Sequence, residues 1–245
     1  MFRAYVERGL GAGAAGGLAF GLFVAVVGNP LVGHAEKLGH AGTVGGAHGG
    51  ESAVPDAVAN LVSVGGGILW GLFLGTVVFG VVYYFLEPAI PGTGATKRYV
   101  LAAAGFVTAS GAPWLVLPPQ PAGVEAALPT GTRILWYGGM VAAGAAVCLL
   151  AGYAYHRLVA RGTGRPTAAL AALASLALLA VPAAVAPTTT AGDLPAGMAA
   201  AYRGFVVFGQ ATLWFVLASV HAWLGTPQSS PGSPGRSVEE PVRAD

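Results

Sequence analysis

The sequence predicts an all-α integral membrane protein, a bundle of six transmembrane helices with both termini in the cytoplasm. The prediction rests on a shortage of charge, on long apolar runs and on an uneven distribution of basic residues. The chain has 245 residues, of which 12 are Lys or Arg and 10 are Asp or Glu; 9% are charged and 55% are hydrophobic. Soluble domains carry about 25% charged residues, so these charges could not cover a surface that faces water.

The composition also excludes several functional classes. The net charge is +2 and the basic residues occur singly or in pairs, whereas nucleic-acid-binding proteins concentrate them on one face. The single cysteine, Cys148, excludes an internal disulfide framework and a cysteine-rich metal site. No nucleophile elbow, phosphate-binding loop or dinucleotide fingerprint occurs outside the apolar runs, so we expect neither an enzyme nor a permanently bound cofactor.

Six apolar runs are each long enough to cross about 30 Å of hydrocarbon as a helix, which takes roughly 20 residues. The runs are apolar on all sides, which excludes β-barrel strands because those alternate apolar and polar residues. Only a helix can then satisfy its backbone hydrogen bonds within its own segment in lipid. The predicted spans are 9–27, 61–84, 99–117, 134–155, 167–185 and 204–223, and the Pro-, Ser- and Gly-rich tail 226–245 is predicted to be a disordered cytoplasmic segment.

The basic residues predict the orientation. Cytoplasmic segments of membrane proteins carry an excess of Lys and Arg, which places the N-terminus of this chain inside. The first run could instead be a signal peptide, but it exceeds the usual length of about 7–15 residues and no small-x-small cleavage site follows it. The inner basic residues are then Arg3, Arg8, Lys97, Arg98, Arg157, Arg161, Arg165, Arg236 and Arg243, and the outer ones are Lys37, Arg133 and Arg203.

Glycines recur every four residues in the first two spans. Stripes of small residues let helix backbones approach closely in lipid, so these faces are predicted to pack closely and could also join copies of the chain into a homo-oligomer. Segments 17–27 and 67–77 resemble each other, either as a trace of an inverted repeat or because glycine-rich faces look alike. The stripes are Gly9, Gly13, Gly17 and Gly21 in the first span and Gly67, Gly71 and Gly75 in the second.

The loop after the first span collects most residues that could bind a metal. Three of the five histidines and three of the ten acidic residues fall between His34 and Asp56. Imidazole and carboxylate together suit borderline divalent ions such as Co²⁺, Ni²⁺ or Zn²⁺. The alternative is a flexible polar connector, because the many glycines make the loop costly to order. The predicted metal ligands are His34, Glu36, His40, His48 and Glu51.

Few polar residues remain within the spans. Asn60 and Ser63 lie at the outer end of the second span, and Gln210 lies in the sixth. A transported ion would have to use these side chains and the backbone carbonyls of the glycine-rich helices. His156 and His221 lie near the inner ends of the fourth and sixth spans, and both are predicted to be interfacial histidines rather than ligands.

Four stretches carry a family resemblance. A Pro-Leu-x-x-x-Ala-Glu pattern begins at Pro30, and the second span is rich in glycine. The third span leads into PWLVLPPQPAGVEAALPTGTR, from Pro113 to Arg133, and the last loop and helix read LPAGMAAAYRGFVVFGQATLW, from Leu194 to Trp214. Together they are similar to the CbtA family of predicted cobalt transporter subunits. Gly-Thr-Arg stands here where that family has Arg-Arg-Thr.

The resemblance implies an inner-membrane subunit of a cobalt uptake system that is linked to cobalamin supply, with Co²⁺ as the transported ion. It also implies a partner, a small single-span CbtB-like subunit with a histidine-rich terminus. The residues themselves leave two functions open, a subunit that passes the ion inward and a non-transporting scaffold that assembles a partner transporter subunit. The glycine stripes and the absence of charge within the spans fit both.

Overall fold

The computed structural model of the chain describes residues 1–34, 55–120, 128–187 and 196–226. Within these residues all regular structure is helical and no strand occurs. Helices form over the apolar runs because a helix satisfies its backbone hydrogen bonds within one segment. They are α1 (Phe2–His34), α2 (Asp56–Leu86), α3 (95–114), α4 (Thr130–Ala160), α5 (Arg165–Ala184) and α6 (Ala196–Leu224).

Five of these helices, α1, α2, α4, α5 and α6, are long and apolar enough to cross a membrane. The remaining one, α3, is less apolar because it begins with the basic pair Lys97 and Arg98, and the chain leaves helical geometry after Trp114. The crossing by α3, and with it the count of six spans, remains a prediction. The cytoplasmic position of the termini also remains a prediction, and residues 227–245 of the tail lie outside the described residues.

Three of the helices contain a π-helical segment, in which backbone hydrogen bonds run from residue i to residue i+5. The segments are Val24–Gly28 in α1, Gly75–Val82 in α2 and Val107–Gly111 in α3. Such segments are rare and occur frequently at functional positions. The segment in α2 carries Phe79, whose ring contacts His221 on α6.

The helices pack in the order α2, α1, α6, α3, α4, α5, each against the next. The first four enclose the larger core, whereas α4 and α5 attach to the second half of α3. The sequence order of the helices therefore differs from their order in space, because α6 returns to lie between α1 and α3. The larger core contains Ala12, Leu74, Phe79, Tyr83, Ile90, Leu101, Ala102, Leu213, Trp214, Leu217 and Ala218, and the smaller one contains Ala112, Val116, Met140 and Leu179.

The helices α1 and α2 meet backbone to backbone along their glycine stripes, an interface that we call the glycine seam. A methyl group added to Gly67 would lie 2.5 Å from the Cα atom of Gly21 and 2.7 Å from the carbonyl oxygen of Gly17. The close packing predicted for both helices is confirmed. Because each stripe is covered by the other, neither is free to join a second copy of the chain. The facing positions are Gly9 with Gly75, Gly13 with Gly71, Gly17 with Gly67, and Gly21 with Val64.

Candidate functional site

The predicted metal ligands lie mostly beyond the part of the chain that the structure describes. His34 is exposed at the last position of α1. Within residues 1–34, 55–120, 128–187 and 196–226, no group of three or more His, Cys, Asp or Glu side chains is placed to hold a metal ion. Metal binding by the loop therefore stays a prediction. Glu36, His40, His48 and Glu51 lie outside the described residues.

The ends of α1 and α2 that flank this loop are joined by the outer amide cluster, which consists of Asn29, Asn60 and Ser63. Asn29 Nδ2 donates to Asn60 Oδ1 at 2.8 Å and to Ser63 Oγ at 3.1 Å. Ser63 Oγ also lies 3.2 Å from Asn29 Oδ1, to which it can donate. Asn60 and Ser63 are the polar residues predicted at the outer end of the second span, whereas Asn29 follows the predicted end of the first span and was not predicted. The cluster brings amide and hydroxyl oxygens together between the end of α1 and the start of α2.

At the opposite end of α1 and α2, the inner carboxylate cluster holds Glu87 through side chains from three helices. Tyr5 Oη on α1 donates to Glu87 Oε2 at 2.5 Å, and Tyr83 Oη on α2 donates to Oε1 at 3.2 Å. Lys97 Nζ on α3 donates to the backbone carbonyl oxygen of Glu87 at 2.6 Å. This cluster was not predicted, because Glu87 lies just beyond the predicted second span and no local pattern indicates that tyrosines from two helices converge on it.

His221 is fully buried by its neighbours, and the interfacial depth predicted for it stays a prediction. Its exposed fraction is 0%, and its ring centroid lies 5.5 Å from that of Phe79 and 5.3 Å from that of Tyr83. The Phe79 backbone faces the imidazole, yet neither ring nitrogen has a hydrogen bond of acceptable geometry within the described residues. The residue is buried because it lies seven positions, about two helical turns, after Trp214 on the face of α6 that packs into the core.

The glycine seam closes one route that the sequence left open for the ion. A methyl group on Gly13 would lie 2.5 Å from the carbonyl oxygen of Gly71. Backbones this close leave no space for a hydrated ion between them, so the seam is not a water-filled path in this conformation. Gln210 is half-buried on α6. His156 is exposed, with its Nε2 atom 2.9 Å from the carbonyl oxygen of Ala89; its interfacial position stays a prediction.

A cleft of about 320 Å³ lies between the end of α3 and the end of α5. All of its lining side chains are apolar, so it offers no side-chain ligand for a metal ion. The cleft is lined by Trp114, Leu115, Val116, Pro118, Ala183, Ala186 and Pro187.

Comparison with known proteins gives one family. The sequence model of the family described as "Probable cobalt transporter subunit (CbtA)" matches residues 2–226, a stretch that contains all six described helices. No curated protein and no solved structure matches the chain. The match and the five apolar helices together identify a multi-pass membrane protein, and a family of transporter subunits is not an enzyme class.

Proposed function

Because the chain belongs to the CbtA family of probable cobalt transporter subunits, we propose that it passes Co²⁺ inward across the inner membrane in an uptake system linked to cobalamin supply. The observation that carries the proposal is the family match over residues 2–226, nearly the whole chain. The positions of the polar groups support it, because the outer amide cluster and the inner carboxylate cluster lie at opposite ends of the same helix pair, α1 and α2.

Capture of the ion is assigned to the loop between α1 and α2. Its histidines and glutamates offer the nitrogen and oxygen ligands that Co²⁺ accepts, and a weak site suits capture because the ion must also leave it. The outer amide cluster then lies next along α1, five residues before His34. The capture residues in this proposal are His34, Glu36, His40, His48 and Glu51.

A partner subunit completes the proposal. The family name describes a subunit, and we propose that the partner is a small single-span CbtB-like protein with a histidine-rich terminus. Its helix would pack on an apolar face of this chain, and its histidines would exchange the ion with the outer loop. Large exposed apolar side chains lie on the helices α4 and α5, including Leu135, Leu149, Leu170 and Val181.

The alternative function is a non-transporting scaffold, and the closed glycine seam favours it over a channel that runs between α1 and α2. Uptake of radioactive cobalt by proteoliposomes separates the two functions. Vesicles are prepared with this chain alone, with the partner alone and with both. If this chain transports cobalt, uptake requires its presence in the vesicles, and substitutions in its outer loop alter that uptake. Uptake by vesicles that hold the partner alone, at the rate of the complete system, would contradict the proposed function.

A further inference from the structure

We propose that Arg8 and Arg98 form a binding site for a phosphate group at the end of the bundle that holds the inner carboxylate cluster. An anionic phospholipid headgroup and a free phosphate ion both offer the oxygens that such a site binds, and experiment separates these two sources. The inference goes beyond cobalt transport and holds whether or not this chain moves the ion. Three features support it: two guanidinium groups without an ion-pair partner, their position beside the end of α6, and the aromatic side chains at the same end.

The Arg98 guanidinium is held in position but has no acidic partner. Its Nε atom is buried, and its Cζ atom lies 5.7 Å from the centroid of the Tyr83 ring. Among the described residues the group forms no ion pair, in contrast to Arg3, whose Nε atom donates to Glu7 Oε1 at 2.7 Å. Nη1 and Nη2 of Arg98 are not buried as Nε is, so they are open to a ligand. A planar guanidinium fork matches phosphate oxygens, and a group already held in place loses little freedom on binding.

Both arginines lie beside the end of α6. A methyl group added to Gly225, the first residue after α6, would lie 2.6 Å from Arg98 Nη2. On α1, a methyl group added to Gly11 would lie 3.0 Å from Leu224 Cδ1, in the last turn of α6. Arg8 precedes Gly11 by three residues, and residues at this spacing share one side of a helix. The half-buried Arg8 therefore flanks the same helix end that Arg98 contacts.

The charges around this helix end suit one anion. Arg8, Arg98 and Glu87 are the charged groups that act electrostatically on both Tyr5 and His221, so the two arginines surround the same pair of rings. Glu87 is held by the tyrosines of the inner carboxylate cluster and pairs with neither arginine in the described part of the chain. The excess of one positive charge is neutralised by the single negative charge of a phosphodiester. The alternative is that both arginines only stabilise the C-terminal end of α6, whose dipole favours cations.

Exposed aromatic side chains indicate that this end of the bundle lies at the level of the lipid headgroups. Phe2 and Tyr84 meet edge to face at a centroid distance of 5.2 Å, and both are exposed. Phe85 on α2 and Trp223 on α6 are also exposed. Tyr and Trp are enriched where membrane spans meet the headgroups, and basic pockets between membrane helices bind anionic headgroups. A lipid phosphate is therefore available to the two arginines at this depth.

The first test measures how the full chain in a non-ionic detergent binds dioctanoyl-phosphatidylglycerol, a water-soluble anionic lipid, with native mass spectrometry as the readout. We expect saturable binding that Arg98→Gln weakens by about tenfold, because a hydrogen bond to a charged group is lost, and Arg8→Gln should weaken it likewise. The matched control is Arg3→Gln, which removes the same charge from the same end of the bundle but from an arginine that Glu7 already pairs. This control should bind the lipid as the wild type does.

The second test displaces Arg98 without changing any charge. A methyl group at Gly225 would lie 2.6 Å from Arg98 Nη2, whereas one at Gly152 meets no atom within 4 Å. Gly225→Ala should therefore weaken binding of the lipid several-fold, and Gly152→Ala should leave it unchanged. Thermal unfolding separates a phosphate site from a helix cap. The lipid should raise the unfolding temperature of the wild type more than that of Arg98→Gln, whereas a cap alone predicts the same rise for both.

Two further ligands distinguish the sources of the phosphate. Inorganic phosphate that displaces the bound phosphatidylglycerol shows that a free ion uses the same site, and lipid that phosphate does not displace assigns the site to the headgroup. Dioctanoyl-phosphatidylcholine should bind more weakly by about fivefold, because its choline brings a positive charge to the two arginines.

The inference is overturned if Arg8→Gln and Arg98→Gln bind phosphatidylglycerol as the wild type does, or if Arg3→Gln weakens binding as much as they do. It is also overturned if the wild type binds neither phosphatidylglycerol nor inorganic phosphate, or if it binds phosphatidylglycerol no more tightly than phosphatidylcholine.

Discussion

Two neighbouring glycines on α2 should respond differently to the same substitution, because one lies in the glycine seam and the other does not. A methyl group at Gly67 would lie 2.5 Å from the Cα atom of Gly21, whereas a methyl group at Gly66 meets no atom within 4 Å. Real Cβ atoms essentially never approach other heavy atoms to less than 3.0 Å. Gly67→Ala therefore requires α1 and α2 to separate, and Gly66→Ala makes the same chemical change without that requirement.

The expected difference follows from the contacts along the seam. The attraction between one pair of contacting atoms is worth about 0.1–0.2 kcal/mol. If the helices separate by about 1 Å, each pair loses a quarter to a half of this attraction. Roughly twenty such pairs amount to about 1 kcal/mol, and overpacked sites cost about 1–3 kcal/mol. Alanine favours a helix over glycine by about 0.5–1 kcal/mol, a gain that Gly66→Ala keeps in full. We expect the free energy of unfolding of the two variants to differ by about 2 kcal/mol.

Unfolding by increasing fractions of SDS in mixed micelles measures this difference, with helical circular dichroism as the signal. Gly67→Ala should unfold at a lower SDS fraction than the wild type, and Gly66→Ala at the same or a higher fraction. A glycine such as Gly162 is a poor control, because its φ of 86° strains any other side chain. Equal midpoints for Gly67→Ala and Gly66→Ala would show that the seam does not hold α1 and α2 together.

Three further predictions concern orientation, capture and the outer amide cluster. A cysteine at Ser52 should react with an impermeant maleimide in intact cells and one at Ser229 should not, because the basic residues place the first loop outside and the tail inside; the reverse labelling would contradict the orientation. Asn29→Ala should lower the free energy of unfolding by about 1–2 kcal/mol in the SDS assay, because Ser63 loses its partner across the seam; an unchanged midpoint would mean that the cluster adds no stability. Replacement of the three loop histidines by alanine should raise the cobalt concentration for half-maximal uptake several-fold without lowering the abundance of the protein. An unchanged concentration dependence would show that the loop is only a connector. The three residues are His34, His40 and His48.

The sequence by itself determined the helices of this protein. An apolar segment in lipid can form its backbone hydrogen bonds only within itself, which requires a helix. Each predicted run therefore lies mainly on a helix. The four-residue spacing from Gly9 to Gly21 likewise determined that one face of α1 packs closely, because small residues at that spacing form a groove for another backbone. Of the predicted metal ligands, the structure describes His34 alone, so the loop site is known only at the level of the sequence.

Only the tertiary structure decided which helices meet and which polar groups they bring together. Hydropathy does not separate a lipid-facing side from a protein-facing side when a helix is apolar all round, since lipid and core are equally apolar. The sequence places His221 near the inner end of the sixth span, and only the packing of α6 between α1 and α3 shows that its side chain is buried. The same packing brings Tyr5 and Tyr83 to Glu87 from two helices. Contacts between residues as distant as 5 and 87 depend on the fold of the whole chain, because no local pattern records them.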